Sequence, residues 1–334
     1  MSKRIPIRAH VHLACMLVFA GVCHGAQAQR ADDAARGYPS RPIRVVIGFT
    51  PGGQPDIVMR LIVPRLGEAL GQQLVVDNRP GAGGTVGTKI VADAQPDGHT
   101  LLTASSSHAI APAIYARLPY DSLRDIAGIT MTYSASYVLV AAPSLGVKSV
   151  QELVAMAKSK PGQLNFASAG TGSGMHFAGE VFKQATQIDA LHVPYKGVPE
   201  ALNDTIGGRV QFTMAPLGSS LGLVRDGRLR GLGVSSPKRL SVHPDLPTIA
   251  ESGYPGFRWD SWGGLFAPAK TPRAIIHKFN REVVRVLNDP DIHQRLSGLG
   301  MEVVPTTPEQ LDKFVAEQLA LVMQLAKKAG IQAR

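Results

Sequence analysis

Cysteine is nearly absent from this sequence of 334 residues. Its two cysteines, Cys15 and Cys23, both fall in an N-terminal segment that we predict to be cleaved. The chain that remains has no thiol, which excludes disulfides, zinc–thiolate sites and thiol nucleophiles.

Long apolar runs are almost as scarce. The one run, residues 13–22, follows a basic stretch and precedes Ala26-Gln27-Ala28, which has small residues at signal-peptidase spacing. This order predicts a secretory signal peptide over residues 1–28, since the run is shorter than the roughly 20 residues that span a bilayer. Lipidation at Cys23 is the alternative, but valine precedes it where a small residue is wanted. We therefore expect a soluble, exported protein.

No basic region is extensive enough to indicate nucleic-acid binding. The formal charge is +10 and falls to +7 without the three basic residues of the predicted signal. The longest basic clusters, 237–239 and 327–328, have no interleaved aromatic residues, so we expect a small anionic partner and no nucleic acid. The seven histidines beyond residue 28 show neither HxH nor HxxxH spacing, so we expect no metal and no cofactor.

Short strands and helices alternate through the first third of the chain. The apolar pattern predicts strands over 43–49, 74–76 and 100–104, separated by helices over 55–70 and 84–94. This alternation is typical of βαβ units with a parallel sheet, and hence of an α/β fold.

The alternation resumes after a stretch, 105–148, for which the pattern predicts no regular element. Ser149 and Glu152 form a capping box that opens a helix, and strands and helices then alternate as far as residue 234. From Thr271 the pattern predicts helices over 272–288, 290–298 and 308–329.

Two glycine-rich loops follow predicted strands. Residues 48–56 read GFTPGGQPD, and residues 168–176 read SAGTGSGMH. In open α/β sheets such loops lie beyond the carboxyl ends of the strands, where backbone N–H groups and helix dipoles bind anions. For the first loop, a plain tight turn is an equal alternative.

The second loop matches no catalytic motif. It lacks the Lys-Ser/Thr of a phosphate-binding loop, and Met175 replaces the third glycine of GxGxxG. Thr171 stands where a nucleophile elbow centred on Ser173 needs glycine. For His176 we favour a structural role over a place in a triad, whose members usually come from separate elements.

Three further segments have two interpretations of similar weight. Residues 81–87, GAGGTVG, are either a strand-to-helix turn, which we favour slightly, or a binding loop. The serines at 105–107 either line a cleft or lie in a solvated loop. Trp259 and Trp262 either wall a pocket or pack a hinge.

Several stretches, in order, resemble one family. They are VVDNRPGAGGTVGTKIVADAQPDGHTLL (75–102), LPYDSLRDIAGIT (118–130), KPGQLNFASAGTGSGMHFAGEVFK (160–183), HVPYKG (192–197) and LPTIAESGYPGF (246–257). From about Tyr38 to Gly330 the chain is thus similar to the Bug family, the TctC-type extracytoplasmic solute receptors of tripartite tricarboxylate transporters.

The resemblance implies a type II periplasmic-binding-protein fold. Two α/β lobes would be joined by a two-strand hinge, near 138–142 and 259–266, with a ligand cleft between them. After a flexible leader, residues 29–41, lobe 1 would comprise 42–140 and 260–334. Lobe 2 would comprise 141–259.

The resemblance also implies the ligand-binding residues. Lobe 1 would contribute two loops, and lobe 2 a third loop and one position after a strand. The residues are Thr50, Pro51, Gly52, Gly53, Ser105, Ser106, Ser107, Thr171, Gly172, Ser173, His176 and Ala215. Members that bind amino acids carry an acidic residue at the position of Ala215, so the resemblance implies a ligand without an amino group.

The expected function is that of a periplasmic, monomeric receptor. It would bind a small organic carboxylate through backbone N–H groups, close its lobes, and deliver the ligand to the membrane subunits of a tripartite tricarboxylate-type transporter. Two alternatives stay open: a secreted serine hydrolase using Ser173 or a serine of 105–107, and a stand-alone ligand sensor for a membrane kinase.

Overall fold

The computed structural model describes residues 36–240, 242–328 and 333. The predicted signal peptide and residues 29–35 of the predicted leader lie outside this part. No helix among the described residues is long and apolar enough to cross a membrane.

The described residues form ten strands. They are β1 (Ile43–Ile47), β2 (Leu74–Asn78), β3 (Thr100–Ser105), β4 (Ile126–Ala141), β5 (Leu164–Ser168), β6 (Ala190–Pro194), β7 (Phe212–Pro216), β8 (Arg230–Val234), β9 (Asp260–Pro268) and β10 (Met301–Glu302).

The following α-helices accompany these strands within the described part of the chain. They are α1 (Gln54–Leu70), α2 (Thr85–Ala92), α3 (Ser107–Ile114), α4 (Val150–Ser159), α5 (Gly174–Thr186), α6 (Val198–Ile206), α7 (Leu217–Arg225), α8 (Arg273–Leu287), α9 (Pro290–Gly298) and α10 (Pro308–Lys328).

The strands form two sections, which we call sheet A and sheet B. In sheet A, β1 lies between β2 and β3 and is parallel to both, which confirms the predicted βαβ units. Strand β9 continues sheet A antiparallel to β3. In sheet B, β5 is parallel to β6 and β7. The mixed α/β fold that the sequence predicts is therefore correct.

One long strand, β4, belongs to both sheets. Its residues 126–136 pair with β9, and residues 137–141 pair with β7 and β8. The partners therefore change between Ser136 and Tyr137, a few residues before the predicted lobe boundary at 140. The apolar pattern missed β4 because nearly every residue on both of its faces is buried, so no polar alternation marks it.

The last helix, α10, packs into the cores of both sections. Leu311 and Val315 belong to the apolar cluster of β3 and β9, whereas Val322 and Ala326 belong to the cluster around sheet B. Helix α10 thus bridges the two sheets beside β4. The predicted division into lobes stays a prediction.

Candidate functional site

A cavity lies between the carboxyl ends of the strands of sheet A and those of sheet B. Its volume, counted as the space open to the centre of a water molecule, is about 40 Å³. It is lined by Phe49, Gly53, Gln54, Pro55, Ser105, Tyr133, Tyr137, Ala169, Ser173, Gly174, Met175, Val198, Pro216 and Ser261. None of these side chains carries a charge, and most of the wall is apolar.

Three helices begin in the wall of this cavity, and a fourth begins next to it. The first residues of α1, α5 and α6 line the cavity because each helix follows a short turn after β1, β5 or β6, and Pro216, immediately before α7, lines it too. No described side chain caps α1, α6 or α7. The first N–H groups of a helix lack intrahelical acceptors and carry the positive end of its dipole. The wall is therefore suited to a negatively charged or strongly accepting group.

Two buried side chains in the wall present polar groups to the cavity. Gln54 and Tyr133 are 2% and 1% exposed; Gln54 Nε2 has no hydrogen-bond partner in the described part of the chain, and the Tyr133 hydroxyl lies beside that of Ser261. The Ser106 hydroxyl, beside the cavity, is also buried without a hydrogen-bond partner in the described part of the chain. Burial raises the pKa of Tyr133 well above its ordinary value, so the phenol stays protonated.

Neighbours hold both of these side chains in place. The Ser261 hydroxyl donates to Gln54 Oε1 at 2.9 Å, which leaves Nε2 as the free end of the amide. Tyr133 pairs with Gly263 across β4 and β9, and its ring lies against that glycine: a Cβ there would be 2.2 Å from Tyr133 Cε1. Strand pairing therefore positions a polar group that the sequence pattern did not reveal.

The first predicted loop has only one of its four candidates in the cavity wall. Gly53 lines the cavity, whereas Pro51 is exposed. The Gly52 N–H donates to Asp56 Oδ2 at 3.0 Å, so that amide is already paired within the protein. Thr50 Oγ1 donates to Glu200 Oε2 at 3.2 Å. The ligand-binding roles of these four residues stay predictions.

The carboxylate of Asp56 is compensated inside the protein. It accepts from Arg60 Nε as well as from Gly52 N, and Asn78 Nδ2 donates to Oδ1 at 3.1 Å. Asp56 thus stabilises the first turn of α1 and the preceding loop.

The serines after β3 lie at the cavity edge. Ser105 lines the cavity, and its hydroxyl is 3.2 Å from that of Ser107. Ser106 approaches Gly174 of α5 from the other side: a Cβ on Gly174 would be 2.6 Å from Ser106 Oγ. These serines therefore meet the second glycine-rich loop where the two sides touch.

In the second loop, Ser173 lines the cavity and also caps α5. Its hydroxyl oxygen accepts from His176 N at 3.2 Å. Thr171 is exposed and accepts from the Tyr115 hydroxyl through its carbonyl at 2.7 Å. Ala215 is buried in β7 opposite Val138, and the next residue, Pro216, lines the cavity. The binding roles predicted here are untested by the structure.

His176 lies beneath its loop, outside the cavity wall. Its Nδ1 accepts from Gly172 N at 3.3 Å, and its ring stacks on His192 with centroids 4.1 Å apart. Burial, followed by the charge of Lys183, lowers the pKa of His176 to about 4. Burial, followed by His176 and Lys183, lowers the pKa of His192 to about 3. Both imidazoles are therefore neutral at pH 7, as the structural interpretation of His176 expects.

The serines of the hydrolase alternative have no base in position. No histidine among the described residues lines the cavity. Ser173 Oγ is engaged as a helix cap, and Ser105 Oγ meets Ser107. The shortest serine–histidine contact is 2.6 Å between Ser168 Oγ and His192 Nε2, in a serine with no exposed surface. This contact lies at the start of the second glycine-rich loop, in the interior of the protein.

The two sides of the cavity touch around its rim. The Ser219 hydroxyl donates to Gly52 O at 3.1 Å, and Tyr115 and Thr50 bond across as described above. Gly83 lies so close to the second loop that a Cβ would be 2.2 Å from Thr171 O. The turn at 81–87 is therefore also a contact between the two sides.

Sequence reasoning missed Gln54, Tyr133, Tyr137 and Ser261. The two tyrosines are four residues apart, which puts them on one face of a strand, and small residues separate them. That pattern was a usable signal. Ser261 lies between the two tryptophans, neither of which lines this cavity: Trp259 packs on Phe177 and Trp262 on Phe314. Both tryptophans line a separate pocket, so the pocket and hinge interpretations both stay predictions.

Comparison with known proteins gives a family. The family described as "Tripartite tricarboxylate transporter family receptor" (TctC) matches residues 58–331. Protein BugT of Bordetella pertussis is 35% identical over 295 residues, which are 88% of this chain and 90% of the relative.

Solved structures agree with this match. The R. palustris protein Rpa4515 with adipate is 34% identical with a TM-score of 0.86, over 89% of this chain and 100% of that one. MatC from Rhodopseudomonas palustris with bound malate is 32% identical with a TM-score of 0.82, over 86% of this chain and 99% of that one. The resemblance read from the sequence is confirmed: this chain belongs to the Bug family of TctC-type receptors.

Proposed function

We propose that this protein is a periplasmic receptor that binds a small carboxylate in the cavity between sheets A and B and delivers it to a membrane transporter. The observation that carries the proposal is the cavity itself, in whose wall helices α1, α5 and α6 begin and no lining side chain is charged. Its similarity to receptors whose structures hold adipate and malate supports the same ligand class.

Uncharged donors are sufficient to hold one carboxylate. A hydrogen bond to a charged group contributes about 1.5–3 kcal/mol, and helix N-termini add a favourable potential in a site shielded from water. An ammonium group would find no carboxylate in the wall. The cavity therefore favours carboxylates without an amino group, in line with Ala215 at the position where amino-acid receptors carry an acid.

Lobe closure is the second part of the proposed mechanism. At the rim, Thr50, Gly52, Gly83 and Tyr115 of the sheet A side contact the sheet B side. These contacts can form only when the two sides lie together, as they do in this structure. A ligand that contacts both sides binds the closed form better than the open form, so it shifts the population towards closure. A membrane partner would then recognise the closed form.

Transport is the proposed use of that closed form, since the family is one of transporter receptors. Signalling to a membrane kinase would use the same closed form, and it remains the second candidate. The relatives are binding proteins, which favours a receptor over a hydrolase.

Thermal unfolding of the exported protein tests the proposal. We expect one class among mono-, di-, tri- and aromatic carboxylates to raise the melting temperature, while the matching neutral amides do not. At a concentration a thousand times its dissociation constant, a ligand adds about 4 kcal/mol of stability. That corresponds to a shift on the order of 10 °C. Equal shifts with acid and amide, or none with freshly refolded protein, would contradict carboxylate binding.

A further inference from the structure

Gln54 has a buried amide donor that no other described group accepts. The side chain is 2% exposed and lines the cavity from the first residue of α1. Leaving such a donor unpaired is costly, since the amide gives up its hydrogen bonds to water and gains none in return. An acceptor bound in the cavity would remove that cost.

Three hydroxyl groups determine which end of the amide stays free. Ser261 Oγ donates to Gln54 Oε1 at 2.9 Å, and the hydroxyls of Tyr133 and Tyr137 both lie beside that of Ser261. Burial raises the pKa of both tyrosines, so both phenols keep their protons. The cluster is therefore rich in donors, and Gln54 Oε1 is the atom in it that can only accept. This holds Oε1 towards Ser261 and leaves Nε2 for another acceptor.

We propose that Gln54 Nε2 donates to a carboxylate oxygen of the ligand, and that Ser261 is the positioning residue that orients the amide for this bond. The inference rests on the proposed function and adds to it a side chain that contacts the ligand. A hydrogen bond to a charged acceptor is stronger than one between neutral groups, so an amide donor suits a carboxylate. No charged side chain in the wall competes with Gln54 for that carboxylate.

The position of Gln54 also orients the ligand. Its amide lies against Ser261 of β9, the strand that pairs with β4. Phe49 and Ala169 line this cavity and also a second pocket, whose wall includes the exposed Lys196. A ligand bound to Gln54 by one carboxylate would therefore extend towards Phe49. A second carboxylate, where the ligand has one, would point towards Lys196.

Exchanging the amide for a carboxyl group tests the contact. In Gln54→Glu the Ser261 hydroxyl keeps an acceptor, but the donor is replaced by a negative charge beside that of the ligand. The probe is whichever of acetate, succinate, malate, adipate and benzoate binds the wild type most tightly. Because like charges brought together are strongly unfavourable, we expect Gln54→Glu to bind it about 100-fold more weakly at pH 8.

Proton uptake distinguishes this contact from a damaged fold. The new carboxyl group regains a donor when it takes up a proton, so the variant should bind about ten-fold more tightly per pH unit from pH 8 to 6.5, with about one proton taken up per ligand. Calorimetric titration in two buffers of different ionisation enthalpy measures the uptake. The wild type should take up none, because the amide does not titrate and Tyr133 and Tyr137 stay protonated. Gln73→Glu adds the same charge at an exposed residue and should behave as the wild type.

A double-mutant cycle tests the positioning role of Ser261. Ser261→Ala removes the hydroxyl that orients the amide, so affinity for the same probe should fall about ten-fold. In the Gln54→Met background no amide is left to orient, so the same change should have little effect. Equal losses in both backgrounds would overturn the positioning role.

The remaining outcomes separate the contact from the receptor function. If Gln54→Glu binds the probe as tightly as the wild type does, or binds it more weakly without proton uptake, the inference is wrong and the receptor function stands. If none of the five probes binds the folded wild type, the proposed function itself fails.

Discussion

The two faces of the cavity are built differently. The sheet A face presents side-chain hydrogen-bonding groups, among them Gln54, Ser105, Tyr133 and Ser261. The sheet B face presents mainly backbone and apolar surface, with Gly174, Met175, Val198 and Pro216 around Ser173. Side chains can be matched to one ligand's oxygens, whereas backbone at helix starts suits any anion. The difference suggests that sheet A selects the ligand and sheet B encloses it.

Filling the sheet B face should have the largest effect. In Gly174→Ala, the new methyl carbon would lie 2.2 Å from the Tyr137 hydroxyl and 2.6 Å from Ser106 Oγ, so both groups must move. We expect the affinity for a bound carboxylate to fall about 100-fold, or ~2.7 kcal/mol, as measured by titration calorimetry. The control is Gly222→Ala, which has open space around it and should bind normally. Unchanged affinity in Gly174→Ala would mean that the cavity is not the binding site.

Low pH should lower the free energy of unfolding, because two buried histidines beneath the sheet B face are neutral in the folded protein. His176 and His192 have pKa values of about 4 and 3 in the folded protein, below the ordinary 6.5. The unfolded chain therefore takes up more protons as the pH falls below 6.5, so stability is present above that pH and is lost towards pH 4. Between pH 7 and pH 5 each imidazole should cost about 2 kcal/mol of unfolding free energy.

Urea unfolding at the two pH values measures this loss. His192→Gln removes one titrating ring, so the difference between pH 7 and pH 5 should shrink by about 2 kcal/mol relative to the wild type. An equal pH dependence in both proteins would contradict neutral burial of His192.

A change at the rim tests closure without touching the cavity wall. In Gly83→Ala the added carbon would be 2.2 Å from Thr171 O on the opposite side. We expect about a ten-fold loss of affinity, or ~1.4 kcal/mol, and a larger radius of gyration by X-ray scattering with ligand present. Gly71→Ala is the matched control, since its φ of +67° resembles the +63° of Gly83 but nothing lies within 4 Å. The same result from both variants would assign the effect to backbone strain.

The smallest effect should come from a single rim hydrogen bond. Tyr115→Phe removes the hydroxyl that donates to Thr171 O across the cavity mouth. A hydrogen bond of this kind contributes about 0.5–1.5 kcal/mol, so affinity should fall about three- to ten-fold through faster ligand release. Stopped-flow measurement of the release rate checks this. A slower association rate with an unchanged release rate would instead mean that the Tyr115 hydroxyl acts before the two sides close.

Prediction from sequence succeeded where the signals were local. Helices α1, α8, α9 and α10 lie within a residue or two of their predicted ranges, because periodicity and proline or hydroxyl starts mark them. The apolar pattern found neither α3 nor β4, and only the family resemblance indicated a strand near 138–142, the end of β4. Strand β4 is buried on both faces, and its partners are drawn from both sheets, so nothing within the strand announces its role.

The candidate site divides in the same way. The glycine loops predicted where helices would begin near a ligand, and Gly53, Ser105 and Ser173 do line the cavity. Gly52, which the same reasoning favoured, has its N–H bound to Asp56 four residues later. The sequence does not show that the carboxylate of Asp56 occupies the N–H group that a ligand anion would need. Only the folded loop shows it.

The sequence by itself determined the export signal we predict, the alternation of strands and helices, the glycine turns and the family. These depend on short-range preferences and on ordered motifs that survive without coordinates. Tertiary structure decided which groups share the cavity, since Gln54 and Ser261 are 207 residues apart and meet only because β3 lies between β1 and β9 in sheet A. Strand pairing brings distant side chains together, and burial then leaves the Gln54 amide with a donor that no described group accepts.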